Sequence, residues 1–113
     1  ALVKFNDDSW GYINKNGNII AKGFKYANSF NEGFARVKFN DNSCGFINKN
    51  GKIIAKGFKD ANSFNEGFAR VKFNDYSYGF INKDLKLYER DKKTLIKNND
   101  PRLKEIELFP ENL

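Results

Sequence analysis

A 34-residue stretch occurs twice in tandem without an insertion, and this repeat constrains the fold more than any other feature. Residues 1–34 and 35–68 differ at unit positions 2, 8, 10, 12, 18 and 26. A third copy starts at Ala69, matches the second at 14 of its first 20 positions, and diverges from Asp84 onward. Repeats of this kind cannot bury their apolar faces alone and pack against their neighbours. The expected organisation is unit one at 1–34, unit two at 35–68, a partial unit three at 69–88, and a tail at 89–113.

Each unit reads as a three-stranded antiparallel meander. Ala35-Arg36-Val37-Lys38-Phe39 alternates small or apolar residues with charged ones, the period of a half-buried strand. Asn40-Asp41-Asn42-Ser43 is a turn cluster. Gly45-Phe46-Ile47-Asn48 and Lys52-Ile53-Ile54-Ala55 flank Asn50-Gly51, a hairpin signal that predicts a type I′ turn. Strands are expected near 1–5, 10–14, 18–22, 35–39, 44–48, 52–56, 69–73 and 78–82. In Phe24-x-x-Ala27-x-x-Phe30 the apolar spacing of three suits one helical turn. Ser29 and Glu32 have capping-box spacing, with Gly33 as the stop, and Ser63, Glu66 and Gly67 repeat the arrangement. The expected fold class is all-β, solenoid-like, with one-turn helical connectors.

The tail differs in character. Asp100-Pro101 has the chemistry of a helix start, and Leu103, Ile106 and Phe109 recur at spacing three before Pro110. A short C-terminal helix capping unit three is expected, or else a linker helix toward a further domain or partner. The tail is electrically neutral, with six basic and six acidic residues. The net charge of +6 therefore resides in residues 1–88. The chain starts at Ala1 and contains no methionine, as a fragment or processed product would.

Trp10-Gly11-Tyr12-Ile13-Asn14-Lys15-Asn16-Gly17, followed by Phe24, Ala27, Phe30, Glu32-Gly33, Ala35 and Val37, resembles the WG (or KWG) repeat. The resemblance spans residues 1–88. It implies a β-rich tandem scaffold of a mostly bacterial family, and hardly any chemistry. The signature Trp is Cys44 in unit two and Tyr78 in unit three, and the Asn-Gly turn becomes Asp84-Leu85.

Composition narrows the functional classes. With no histidine, the commonest general base and metal ligand is missing, and a single cysteine removes internal disulfides and Cys-rich zinc sites. Cys44 lacks a base and occupies a position held by aromatic rings elsewhere, so it reads as a packing position rather than a nucleophile. The loops at Asn6–Ser9, Asn40–Ser43 and Asn74–Ser77 offer oxygen ligands, but Asp8 becomes Asn42 and then Tyr76, so they read as turns rather than calcium sites. Glu32 and Glu66 recur once per unit, as structural residues do. No catalytic residue, metal or cofactor is expected, and the chain reads as a non-catalytic scaffold or binding module.

Two lysine ladders follow the period: Lys4, Lys38 and Lys72, and Lys15, Lys49 and Lys83. Stacked units would align them into stripes that attract a polyanion, although Lys also guards β edges. Tyr26 and Tyr76 replace polar residues of sister units and are expected to be exposed. These eight residues form the candidate binding surface. A protein is the expected partner. A cell-envelope module binding carbohydrate or an anionic polymer is the alternative. No apolar run is long enough to cross a membrane as a helix, so no insertion is expected.

Overall fold

The computed structural model describes residues 1–113 and contains twelve strands and two single turns of 3-10 helix. The strands are β1 (Leu2–Lys4), β2 (Trp10–Ile13), β3 (Ile19–Phe24), β4 (Tyr26–Ala27), β5 (Phe34–Lys38) and β6 (Cys44–Asn48). They continue as β7 (Ile53–Phe58), β8 (Asp60–Ala61), β9 (Phe68–Lys72), β10 (Tyr78–Asn82), β11 (Leu87–Tyr88) and β12 (Glu107–Leu108). They form three antiparallel sheets, ordered β1-β2-β3, β12-β7-β6-β5-β4 and β11-β10-β9-β8. The molecule is elongated, with extents of 42 × 25 × 22 Å.

The alternation read from the sequence places the core. Ala35 and Val37 are fully buried, opposite Ile47 and Gly45 across the β5–β6 ladder. Gly45 is required by packing, because a Cβ there would run into Lys56 and the Phe39 ring. Matching rings build the interior in register with the repeat. Tyr12, Phe24 and Phe39 form one edge-packed row, with centroids 6.2 and 6.0 Å apart. Phe46, Phe58 and Phe73 form the next, with spacings of 6.4 Å. A buried Phe contributes roughly 1.5–3 kcal/mol, so these rows supply much of the folding energy.

The connectors are not helical. Glu32 and Gly33 both have positive φ, 54° and 91°, as do Glu66 and Gly67. Asn31 and Phe34 exchange both backbone hydrogen bonds across them, and Asn65 and Phe68 do the same. This is a two-residue type I′ hairpin, the conformation expected at Asn50-Gly51. At Asn50-Gly51 the turn is instead a three-residue loop with only the glycine left-handed, at φ 83°. The Asn48 carboxamide oxygen closes it by accepting the N–H groups of Asn50 and Lys52. The apolar spacing of three through Phe24, Ala27 and Phe30 belongs to a chain passing between sheets. β3 ends at Phe24, β4 begins at Tyr26, and β4 pairs with β5 of the next unit. The meanders thereby gain strands that the sequence reading left out.

The C-terminal helix is likewise absent. Asp100 caps a single 3-10 turn, Pro101–Leu103, with its carboxylate accepting the Arg102 N–H. The chain then extends as β12 along β7, pairing Glu107 with Lys56 and Leu108 with Ala55. Pro110 opens a second turn instead of ending a helix. The edge of β7 has unpaired backbone groups, and pairing with them outweighs a short helix that would be exposed. The tail therefore folds back onto unit two as well as lying against unit three, where Leu95 bridges to Tyr88. Leu103, Ile106 and Leu108 pack against the larger core cluster.

Candidate functional site: a basic and aromatic rim

Lys4, Lys38 and Lys72 end the first strand of their units, where cross-strand pairing sets their neighbours. Lys4 lies opposite Trp10, with its Nζ 5.8 Å from the ring, and 3.9 Å from the Asp8 carboxylate. Lys38 lies opposite both Tyr26 and Cys44. Lys72 lies opposite Asp60 and Tyr78. Its Nζ sits 5.1 Å from the Tyr76 ring and 5.4 Å from the Tyr78 ring. Lys59 approaches the same Tyr76 ring at 5.2 Å, and the Arg70 guanidinium lies 3.8 Å from the centre of the Tyr78 ring. Tyr26 and Tyr76 are exposed at 44% and 60%. The rim thus alternates cations with ring faces, an arrangement that favours both.

One contact carries the rim from the first sheet to the second. Tyr26 belongs to the second sheet through β4, yet its ring meets Trp10 of the first sheet edge-on at 5.6 Å. Unit two has a polar version of this group. The Arg36 Nη2 donates to Asp60 at 3.0 Å and to the Cys44 sulfur at 3.6 Å, while its Nε donates to the Ala61 carbonyl. Leu2, Trp10 and Tyr26 of unit one thus correspond to Arg36, Cys44 and Asp60 of unit two. Half of the six differences between the first two units fall in this single cluster. Cys44 faces the interior, as its pairing with ring positions suggests, and is 1% exposed. Arg36 and Asp60 cover the sulfur and occupy space that a ring would fill. Burial pushes the Cys44 thiol pKa up, away from the thiolate.

The second ladder lies elsewhere. Lys15, Lys49 and Lys83 occupy the hairpin turns at the opposite end of the strands. Lys15 and Lys49 extend into solvent, while Lys83 pairs with Glu32 at 3.2 Å. The structure thus joins Lys4, Lys38, Lys72, Tyr26 and Tyr76 along one rim and separates the other three lysines from it.

The carboxylates recurring in each unit are engaged in architecture. Asp7, Asp41 and Asp75 each accept the hydroxyl and the backbone N–H of the serine two residues on. The serine hydroxyl holds each of these carboxyls below the usual aspartate range. Glu32 accepts the N–H groups of Glu66 and Gly67, 2.6 and 2.9 Å away, and so grips the next unit. Sequence reasoning missed this contact. The exact recurrence of Glu-Gly in a non-helical connector was its one local signal.

Arg102 forms a separate cluster, bidentate to Glu89 at 2.8 and 2.7 Å and bonded to Asp100. It braces the tail internally and sets its guanidinium 5.6 Å from the Phe73 ring of unit three. A cavity of about 550 Å³ opens between them, lined by Leu85, Leu87, Leu95, Ile96, Leu103 and Leu108 among others.

Comparison with curated proteins and with solved structures returns no match. A family model described as the WG containing repeat matches residues 10–42 and again residues 45–76. Each matched stretch opens at or next to the Trp10 position and runs through the connector hairpin into the following unit. With more than half of its length accounted for in two tandem copies, the chain belongs to the WG-containing repeat family.

Proposed function

We propose that this chain is a non-catalytic repeat module that binds an acidic segment of a protein along the rim of Lys4, Trp10, Tyr26, Lys38, Lys72 and Tyr76. The observation that carries the reading is the Trp10–Tyr26 contact, which joins the first sheet to the second, where Tyr26 lies opposite Lys38 of unit two. The repeated acids support it from the other side. Asp7, Asp41, Asp75 and Glu32 are committed to turns and unit contacts, while Lys4, Tyr26 and Tyr76 are exposed and Trp10, Lys38 and Lys72 half-buried. Single contacts of this kind are weak, and affinity comes from several engaged at once.

Titration with poly-L-glutamate, followed by Trp10 fluorescence, tests this. Binding is expected to fall at least about tenfold in the Lys4→Ala/Lys38→Ala/Lys72→Ala variant, with a modest salt slope. Unchanged binding in that variant overturns the reading. Tighter binding of a polyanionic polysaccharide, with a steep salt dependence, would favour an envelope-polymer module instead.

A further inference from the structure

Strands β3 and β7 have the same sequence, Ile-Ile-Ala-Lys-Gly-Phe, at Ile19–Phe24 and Ile53–Phe58. The turn asparagine before each is also the same, Asn14 and Asn48. Their outer edges differ in occupancy. β7 carries the tail: Glu107 and Leu108 pair with Lys56 and Ala55, and the Phe109 N–H donates to the Ile54 carbonyl at 2.8 Å. Asn48 donates through Nδ2 to the Asn112 carbonyl, and Asn112 donates back to the Ile53 carbonyl at 2.8 Å. β11 has a partner too, through the Tyr88–Leu95 bridge. On its outer side, β3 has no strand partner.

The exposure of the side chains follows this difference. Ile54 and Ala55 are fully buried under the tail, whereas Ile20 and Ala21 are half-buried and Ile19 is 54% exposed. A Cβ at Gly57 would strike the Glu105 carbonyl, while the space beside Gly23 is open. Gly51 of the unit-two hairpin lies against one side of the Ile20 carbonyl and against the Ile20 and Ala21 side chains, walling the groove in the place that Leu85 takes in the next unit by the 34-residue period.

We infer that the β3 edge is a second binding site, which takes an extended acidic and apolar peptide of another protein by strand addition, in the manner the tail is held on β7. The chain itself displays the recognition chemistry. Residues 105–112 contain Glu105, Glu107 and Glu111, with no basic residue, around Ile106, Leu108 and Phe109. Backbone pairing supplies the affinity, Ile19, Ile20 and Ala21 supply apolar contact, and Lys22 stands where Lys56 faces Glu107. The Asn14 Nδ2, which makes no hydrogen bond within the chain, is the donor for a carbonyl equivalent to that of Asn112. The tail of a second copy is a poorer occupant, because it would first have to leave its own β7 edge. This site is separate from the Lys4 rim, at a different part of unit one.

The test uses the full chain, labelled with nitrogen-15, and a synthetic peptide with the sequence of residues 104–113, blocked at both ends. Saturable amide shifts centred on Ile19–Phe24 are expected. Methylating the peptide nitrogen at the Phe109 position removes the donor to Ile20 and is expected to weaken binding at least about tenfold. Asn14→Asp keeps the turn-closing oxygen but deletes the Nδ2 donor, and a several-fold weakening is expected. The Lys4→Ala/Lys38→Ala/Lys72→Ala variant is expected to bind this peptide as the parent does, which separates the outcome from that of the rim. No shifts at millimolar peptide, shifts confined to Ile53–Phe58, or equal binding of the methylated peptide would overturn the inference.

Discussion

The carboxylate of Glu32 holds the backbone of Gly67, 35 residues further on, through a 2.9 Å hydrogen bond. A second bond, to the Glu66 N–H, makes the grip two-pronged, and Lys83 balances the charge. Two consecutive left-handed residues aim both N–H groups to one side, a concavity suited to an anion. Unit one thus grips unit two by the turn that leads into β9, the first strand of unit three.

These bonds favour the charged form of Glu32 and hold its carboxyl below the ordinary value of 4.5, with the Gly67 N–H as the leading cause. A carboxyl depressed in the folded state stabilises fully above its unfolded pKa, and this stabilisation is lost as pH falls through the folded value. Glu32→Gln is therefore expected to lower thermal stability at pH 7, with the gap to the parent closing below about pH 4.5. Glu66→Gln, whose side chain grips nothing, is expected to lie within about 0.5 kcal/mol of the parent at pH 7. Melting curves from pH 2.5 to 7 check both.

Restoring the family's tryptophan alone is expected to harm unit two. In Cys44→Trp the ring competes with Arg36 and Asp60 for the same space, and overpacking costs about 1–3 kcal/mol. The triple change Arg36→Leu/Cys44→Trp/Asp60→Tyr recreates the unit-one cluster and is expected to recover most of that loss. Urea denaturation of the parent, single and triple variants reads this directly. The parent thiol is expected to react slowly with a thiol reagent until urea unfolds the chain.

Leu85 stands in a left-handed conformation, φ 63°, yet it is 96% buried. The conformation costs about 1–2 kcal/mol, while burying the side chain contributes roughly 1.5–3 kcal/mol. Burial outweighs strain, so Leu85→Gly is expected to destabilise by about 1 kcal/mol. Tyr76 has a similar φ of 70° but is exposed. Tyr76→Gly relieves comparable strain and gives up only exposed contacts with Lys59 and Lys72, so it is expected to be neutral or slightly stabilising in urea denaturation.

Arg102 braces the turn that leads into β12. Arg102→Ala leaves Glu89 and Asp100 facing each other without a cation, and the tail is expected to open more often. Amide exchange at Phe109, whose N–H is bonded to Ile54, is expected to accelerate about three- to tenfold. Exchange at Val37, deep in unit two, is expected to remain unchanged.

Much of this fold is legible in the chain. The alternation at Ala35–Phe39, the turn cluster at Asn40–Ser43 and the hairpin after Asn48 locate strands to within two residues. The connectors misled because Ser29 and Glu32 have capping-box spacing, which is meaningful only if a helical backbone follows. The partner of Glu32 lies in the next unit, beyond the reach of local patterns. Leu103, Ile106 and Phe109 misled for a related reason: an unpaired β7 edge awaited that segment, and no local propensity records a distant vacancy. The rim was partly visible as lysines and tyrosines. The Trp10–Tyr26 contact depends on β4 crossing into the next sheet, which the sequence reading lacked.

Only Lys25 separates β3 from β4, so one extended run serves two sheets in succession. The span that is duplicated and the span that folds are therefore out of phase. A strand-swapping boundary of this kind has no seam at which one unit ends and another begins. A recombination breakpoint falling within the identical stretches of units one and two adds or removes one whole period, and the Glu32-to-Gly67 and β4-to-β5 joins reform at the same offset. A change of copy number by whole periods is therefore expected to leave every join between units intact.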